Sequence, residues 1–252
     1  MKRVKLIVAY DGTHYCGWQL QANGITIQEV LQDQLSRLLG EKITVIGASR
    51  TDSGVHAAGN VAVFDTNTRM PGEKIPYALN QKLPEDIRIQ HAEEVAADFH
   101  PIYEKCIKTY EYKILNRKFP IPMLRYYTHF THIRLDVEEM KKAASYIIGT
   151  HDFKSFCKEG AQVKTTVRTV TDLEIFKEGD LITIRITGTG FLHNMVRIIA
   201  GTLLKVGNKT YPAMKVREII EARDRKCAGS TAPAKGLTLI GIQYVKEMEK
   251  EI

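Results

Sequence analysis

The sequence predicts an α+β protein made of two ferredoxin-like halves, each running β-α-β-β-α-β. Three observations predict it. Runs that alternate like strands and runs with helical spacing follow one another in the same order twice along the chain. The 252 residues suffice for two modest domains, each able to bury a core. Charge divides where the pattern restarts: residues 1–100 carry 10 basic against 12 acidic side chains, and residues 101–252 carry 26 against 17. The first half is therefore net −2 and the second net +9, within a chain total of +7.

Residues 3–10 alternate as a strand. Thr26-Ile27-Gln28-Glu29 is a capping box, in which Thr26 and Glu29 satisfy each other's amides. Ile27, Val30, Leu31, Leu35, Leu38 and Leu39 then repeat at helical spacing until Gly40. Strands are expected over Ile43–Ala48 and Asn60–Thr66, joined by a polar loop. A short helix near 75–83 starts around Pro76, and a strand near 87–95 completes the first pass. The second pass opens with a strand over Ile107–Leu115 and a helix over 136–148, started by Asp136 with Glu139 three residues on and ended by Gly149. Gly179-Asp180 turns one strand (168–177) into the next (181–188). Helices over 191–206 and 212–222 and a strand over 237–245 follow. The domains are thus 1–100 and 101–252, alike in pattern and without evident identity in sequence.

Composition narrows the function classes. A 44% hydrophobic fraction and a mean hydropathy of −0.21 exclude a disordered tail protein and a membrane span. No apolar run approaches the ~20 residues a bilayer requires, and the apolar run at the start is too short for a signal peptide. Cys16, Cys106, Cys157 and Cys227 lie far apart without a C-x-x-C pair, so neither a disulfide framework nor a zinc site is expected, and the cytoplasm is the default compartment. The basic second half fits a polyanion, with solubility charge as the competing reading. Residues 118–134 have no period and hold Arg117 at their border, then Lys118, Arg125, Tyr126, Tyr127, His129, His132 and Arg134. Such a loop suits exposed bases and phosphates.

Several motifs fail. Gly188-Thr189-Gly190-Phe191-Leu192-His193 has His where a dinucleotide fingerprint needs its third glycine. Gly229–Gly236 lacks the glycine before lysine of a phosphate loop. His129 and His132 lack a further ligand at metal spacing, so no metal is expected. The informative segment is Gly47-Ala48-Ser49-Arg50-Thr51-Asp52-Ser53-Gly54-Val55-His56-Ala57. Taken alone, Asp52-Ser53-Gly54 between two strands is turn chemistry.

Wider context changes that reading. Tyr10-Asp11-Gly12, Gly17-Trp18-Gln19 and Gln21 precede the segment; Ala78-Leu79-Asn80, Leu83-Pro84-Glu85-Asp86-Ile87 and Phe99-His100 follow it. Tyr110-Glu111-Tyr112, His151-Asp152-Phe153, Phe191-Leu192-His193-Asn194-Met195-Val196-Arg197 and Ala228-Gly229-Ser230-Thr231-Ala232-Pro233-Ala234-Lys235-Gly236-Leu237 come in turn. In residues, order and spacing the chain resembles the bacterial tRNA pseudouridine synthase A family over its whole length.

The resemblance implies two halves whose sheets join around a central RNA-binding cleft, and an isomerase that needs no cofactor. It implies a homodimer that converts uridine to pseudouridine in the anticodon stem-loop of tRNA, at positions 38, 39 and 40. Asp52 is the implied nucleophile, through a covalent Asp–nucleotide intermediate, with attack at ring or sugar carbon left open. Arg197 is its implied ion-pair partner, keeping the carboxylate charged against desolvation; by helix geometry alone it is a surface arginine. Tyr110 lies against the target base by resemblance and is a core tyrosine by pattern. Arg50 and His56 are candidate substrate-binding residues, Arg50 for evicting the base or holding a phosphate. His56 and His193 read as structural or RNA-contacting groups rather than acid–base ones. Ile102 departs from the family pattern, which has arginine at that place, and bears on RNA grip rather than on the nucleophile. Two rival readings stand beside this one: a paralogue acting on ribosomal RNA, and an inactive RNA-binding module.

Overall fold

In the computed structural model, which describes residues 1–245, the first strand forms where alternation places it. β1 spans Lys2–Tyr10 and buries Val4, Leu6 and Val8 completely. Thr26 caps helix α1 (Ile27–Leu39): the Glu29 amide donates to its hydroxyl at 3.3 Å and the Thr26 amide donates back to Glu29 at 3.4 Å. Ile27, Leu31 and Leu35 form the buried stripe, and Gly40 ends the helix at φ 68°.

Strand lengths then depart from local pattern. β2 is only Ile46–Gly47, and β3 runs His56–Thr66, starting four residues before the expected Asn60. Its antiparallel partner sets that length: β1 pairs with β3 from Lys2↔Thr66 to Val8↔Asn60 and, past a register shift, again at Tyr10↔Ala57. α2 is Ile75–Leu79, shorter than the 75–83 expected. Asn80 stops it by pairing with the next strand: its Nδ2 donates to the Ile89 carbonyl at 2.9 Å and the Ile89 amide donates to its Oδ1 at 2.8 Å. β4 occupies Ile87–Val95, as predicted.

The chain continues into β5 (Cys106–Asn116). Within the stretch that showed no period, β6 (His129–Thr131) pairs parallel with β5. Asp136 caps α3 (Val137–Ser145) by accepting from the Glu139 amide at 3.2 Å. α3 ends before 148, and Gly149, at φ 116°, opens the unpredicted strand β7 (Gly149–Asp152) instead of ending the helix. β8 (Val167–Glu178) and β9 (Leu181–Gly188) close a two-residue hairpin at Gly179-Asp180, with Glu178 opposite Leu181. α4 covers Met195–Gly207 rather than 191–206, because Asn194 is left-handed at φ 63° and cannot belong to a helix. It is buried nearly all round. α5 is Lys215–Ala222 and β10 is Leu237–Tyr244.

Proximity divides the chain into two units: Met1–Lys105 with the chain from Thr238 on, and Cys106–Leu237. The first holds strands in the order β4-β1-β3, with β2 antiparallel and β10 parallel on β3. The second holds β5-β9-β8-β7, with β6 on β5. Each is mixed α+β. Among the described residues no helix is long and apolar enough to cross a membrane.

Candidate active site

Asp52 lies in the loop between β2 and β3, and that loop is bolted down on both sides of it. Thr51, buried, shares a 2.7 Å hydrogen bond between its Oγ1 and the Tyr10 hydroxyl, and its carbonyl accepts from the Trp18 amide at 3.1 Å. Asn60, inside the unit, donates to the Ser49 carbonyl at 3.0 Å. After Asp52, the Val55 amide donates to the Asp52 carbonyl at 3.1 Å and closes the turn, while the Ser53 hydroxyl donates to the Tyr15 carbonyl at 3.1 Å. Gly12 packs so tightly on this turn that a Cβ there would stand 2.0 Å from the Val55 carbonyl oxygen. Burial, with Asp86 accepting the Tyr15 hydroxyl proton at 2.6 Å, pushes the Tyr15 phenol far above its ordinary range, so it stays a neutral donor. Trp18, 1% exposed, anchors the bracing segment against Tyr10 with ring centroids 5.9 Å apart. Asp52 itself is half-buried. A carboxylate on so constrained a backbone presents itself in one place without further ordering cost.

The other two candidates of this loop diverge. Arg50 is exposed, its Nη1 donating to Gln19 at 3.3 Å, so its guanidinium stands at the surface. His56 is 4% exposed. Its Nδ1 sits 3.1 Å from both the Gly12 amide nitrogen and an Asp11 carboxylate oxygen. A bare Nδ1 accepts from Gly12 and a protonated one donates to Asp11, so either form ties the ring to that turn. This geometry favours the structural alternative for His56.

Arg197 and Tyr110 belong to the second unit. Arg197 sits in the first turn of α4, half-buried, with its Nε donating to the Ala232 carbonyl at 2.8 Å and its Nη1 to the Asn194 side chain at 3.1 Å. The Ala232 amide donates back to the Arg197 carbonyl at 3.0 Å. Gly201, one turn further on, lets the loop backbone come close: a Cβ there would lie 1.8 Å from the Ser230 carbonyl oxygen. Tyr110, on β5 and 8% exposed, meets Phe191 edge-on at 5.4 Å and 88°. Its strand neighbour Tyr112 donates to the Pro233 carbonyl at 3.0 Å; burial pushes that phenol well up, against the opposing influence of the Arg197 charge.

The structure thus groups Arg50, Asp52 and His56 on one loop, holds Arg197 on the 228–236 loop and sets Tyr110 against Phe191. Sequence reasoning missed Asn194 and Ala232 as holders of Arg197, since one acts from a left-handed turn and the other through its backbone. It also missed Tyr15 and Asn60 as braces of the Asp52 loop. The basic stretch 118–134 stacks some of its own charges on its own rings: Arg125 over Tyr126 at 4.1 Å and Lys118 over Phe119 at 5.2 Å. Ile102 is half exposed.

Comparison with known proteins adds an independent line. A family model described as tRNA pseudouridine synthase matches residues 6–104 and 143–245. The tRNA pseudouridine synthase A of Acetivibrio thermocellus is 50% identical over 244 residues, 97% of this chain and all of that one. That of Thermoanaerobacter sp. strain X514 is 52% identical over the same shares, and the tRNA pseudouridine synthase A 2 of Clostridium perfringens is 48% identical. Among solved structures, a dye-decolorizing protein from V. cholerae aligns over 99% of this chain and 95% of its own with a TM-score of 0.21 and 11% identity, too low to bear on the fold.

Proposed function

The chain belongs to the tRNA pseudouridine synthase family, and from that premise we propose how its residues isomerise uridine in tRNA. The bond between N1 of uracil and C1′ of ribose breaks, the base turns, and C5 bonds to C1′. C5 gives up a proton and N1 gains one, so atoms and electrons balance with no co-reactant. The step needs a group that forms a covalent bond and releases it again, which a carboxylate does. Asp52 is that group, through an Asp–nucleotide intermediate at ring or sugar.

The observation that carries this reading is the clamp on the Asp52 loop. Thr51 and Val55 are buried and tied on either side of a half-buried carboxylate. A turn that served only to reverse the chain needs no such bracing. Arg197 is the ion-pair partner proposed for that carboxylate. Tyr110 stacks on the target base, the exposed Arg50 holds a phosphate or fills the place of the evicted base, and His56 serves substrate binding by fixing the exit of the loop. The order β4-β1-β3 with β2 on β3 supports a ferredoxin-like first half. A homodimer acting in the cytoplasm on the anticodon stem-loop completes the proposal.

The test is incubation of unmodified tRNA with the protein alone, followed by carbodiimide mapping of pseudouridine. Modification in the anticodon arm is expected; modification confined to ribosomal RNA would replace the substrate. An active Asp52→Ala variant would overturn the nucleophile.

A further inference from the structure

A short loop connects two arginines of the second unit. Arg225 opens a single 3-10 turn (Arg225–Cys227) whose cap is Asp224, its carboxylate accepting from the Lys226 amide at 2.9 Å. From there its planar guanidinium spans the next loop: Nη1 donates to the Gly229 carbonyl at 2.9 Å and Nη2 to the Thr231 hydroxyl oxygen at 3.3 Å. The residue after Thr231 is Ala232, whose carbonyl receives the Arg197 Nε at 2.8 Å. Beyond Arg225, the loop is sewn to α4 by the Gly229 amide donating to Thr202 Oγ1 at 2.9 Å and by the Ala232 amide donating to the Arg197 carbonyl. Those bonds fix where the loop lies. The chord of the chain from Gly229 to Thr231, which leads directly into Ala232, has a further constraint. The two-pronged Arg225 fork sets that chord.

We infer that Arg225 is a positioning residue: by bridging Gly229 and Thr231 it aims the Ala232 carbonyl, which in turn orients the Arg197 guanidinium for the reaction. The inference rests on the reading of Arg197 given above. A half-buried guanidinium bridging two acceptors in one loop is a geometry lysine cannot copy, because an ammonium on a flexible stem has no planar fork. Misplacing a catalytic group by about 1 Å costs up to about 100-fold in rate, and a tilt of one supporting carbonyl is a part of that.

The experiment is steady-state kinetics on unmodified tRNA with Arg225→Ala, Arg225→Lys and Thr231→Val, alone and in an Arg197→Lys background, with tRNA-binding stoichiometry as the count of folded protein. The expected result is a fall in kcat of about 10-fold for Arg225→Ala and Arg225→Lys, a smaller fall for Thr231→Val, and KM within about twofold. With Lys at 197 no Nε remains to meet Ala232, so the same changes should then cost less than about twofold. An unchanged kcat, a rise in KM alone, or an equal loss in both backgrounds overturns the inference. Should Arg225→Ala not fold, Thr231→Val carries the decision by the same comparison. An Arg197→Lys variant with full kcat marks failure of the underlying reading instead, which keeps the two apart.

Discussion

Replacing Gly201 by alanine sets two forces against each other whose sizes the structure supplies. The new methyl would stand 1.8 Å from the Ser230 carbonyl oxygen and 3.0 Å from its carbon, whereas ordinary contact begins near 3.4 Å. Both obstacles are backbone, so the overlap of roughly 1.6 Å is relieved only by lifting the loop from α4. Lifting it forfeits three hydrogen bonds: Gly229 to Thr202 (2.9 Å), Ala232 to the Arg197 carbonyl (3.0 Å) and Arg197 to Ala232 (2.8 Å). At about 1 kcal/mol net each they total roughly 3 kcal/mol. Alanine returns about 1 kcal/mol through its better helix propensity. A net loss of about 2 kcal/mol remains, which for a chain of this size lowers Tm by roughly 4–8 °C. Thermal unfolding followed by circular dichroism measures it, alongside kcat on unmodified tRNA, which should fall because Arg197 loses its support. A Tm equal to or above that of the parent would refute the reasoning, for it would mean that propensity outweighs a loop free to move.

Gly12→Ala brings a methyl to 2.0 Å from the Val55 carbonyl oxygen; it should cut kcat on tRNA by about 10-fold or more, and a parental rate would show that the Asp52 loop does not depend on that contact. Thr26→Ala removes the α1 cap at a cost of about 1 kcal/mol, read as a lower denaturation midpoint with kcat unchanged, since α1 holds no proposed site residue. Burial first, and then the Lys235 charge, hold His129 below the ordinary imidazole range. The unfolded chain therefore takes up a proton that the folded one refuses, so stability is complete above pH of about 6.5 and declines as pH falls from there toward the folded value. His129→Gln should flatten that part of the stability–pH curve; an unaltered slope between pH 7 and 5 would contradict the assignment.

How much of this was legible in the sequence depended on how local each cause is. α1 could be read to the residue because Thr26, Glu29 and Gly40 carry its ends within one segment, and the β8–β9 hairpin because Gly179-Asp180 makes its own turn. β6 and β7 could not, since three- and four-residue strands exist only through their partners β5 and β8. The start of β3 was hidden for the same reason: its first residues take their conformation from pairing with β1 and β10 rather than from alternation. At the site, the side chains that would do chemistry sat in recognisable segments. What holds them did not announce itself, because the Ala232 carbonyl, the Thr51 carbonyl and the left-handed Asn194 act through backbone that any sequence possesses.

The last described strand gives the protein an order of birth. β3 pairs with β10 at His56↔Thr238 and Ala57↔Leu239, and Tyr244 at the far end packs on Phe99 at 5.0 Å and donates to the Pro101 carbonyl at 2.9 Å. β4 ends at Val95 and β10 begins at Leu237, about 140 residues later. At about 5–20 residues per second, a ribosome takes roughly 7–28 s to cross that interval. Throughout it, the strand that follows the Asp52 loop has an open edge at His56 and Ala57 on the nascent chain, a place where a stray strand could pair. The unit begun first is therefore finished after the other has been made, and a stalled ribosome would leave behind a fragment with its proposed nucleophile on an unsealed sheet.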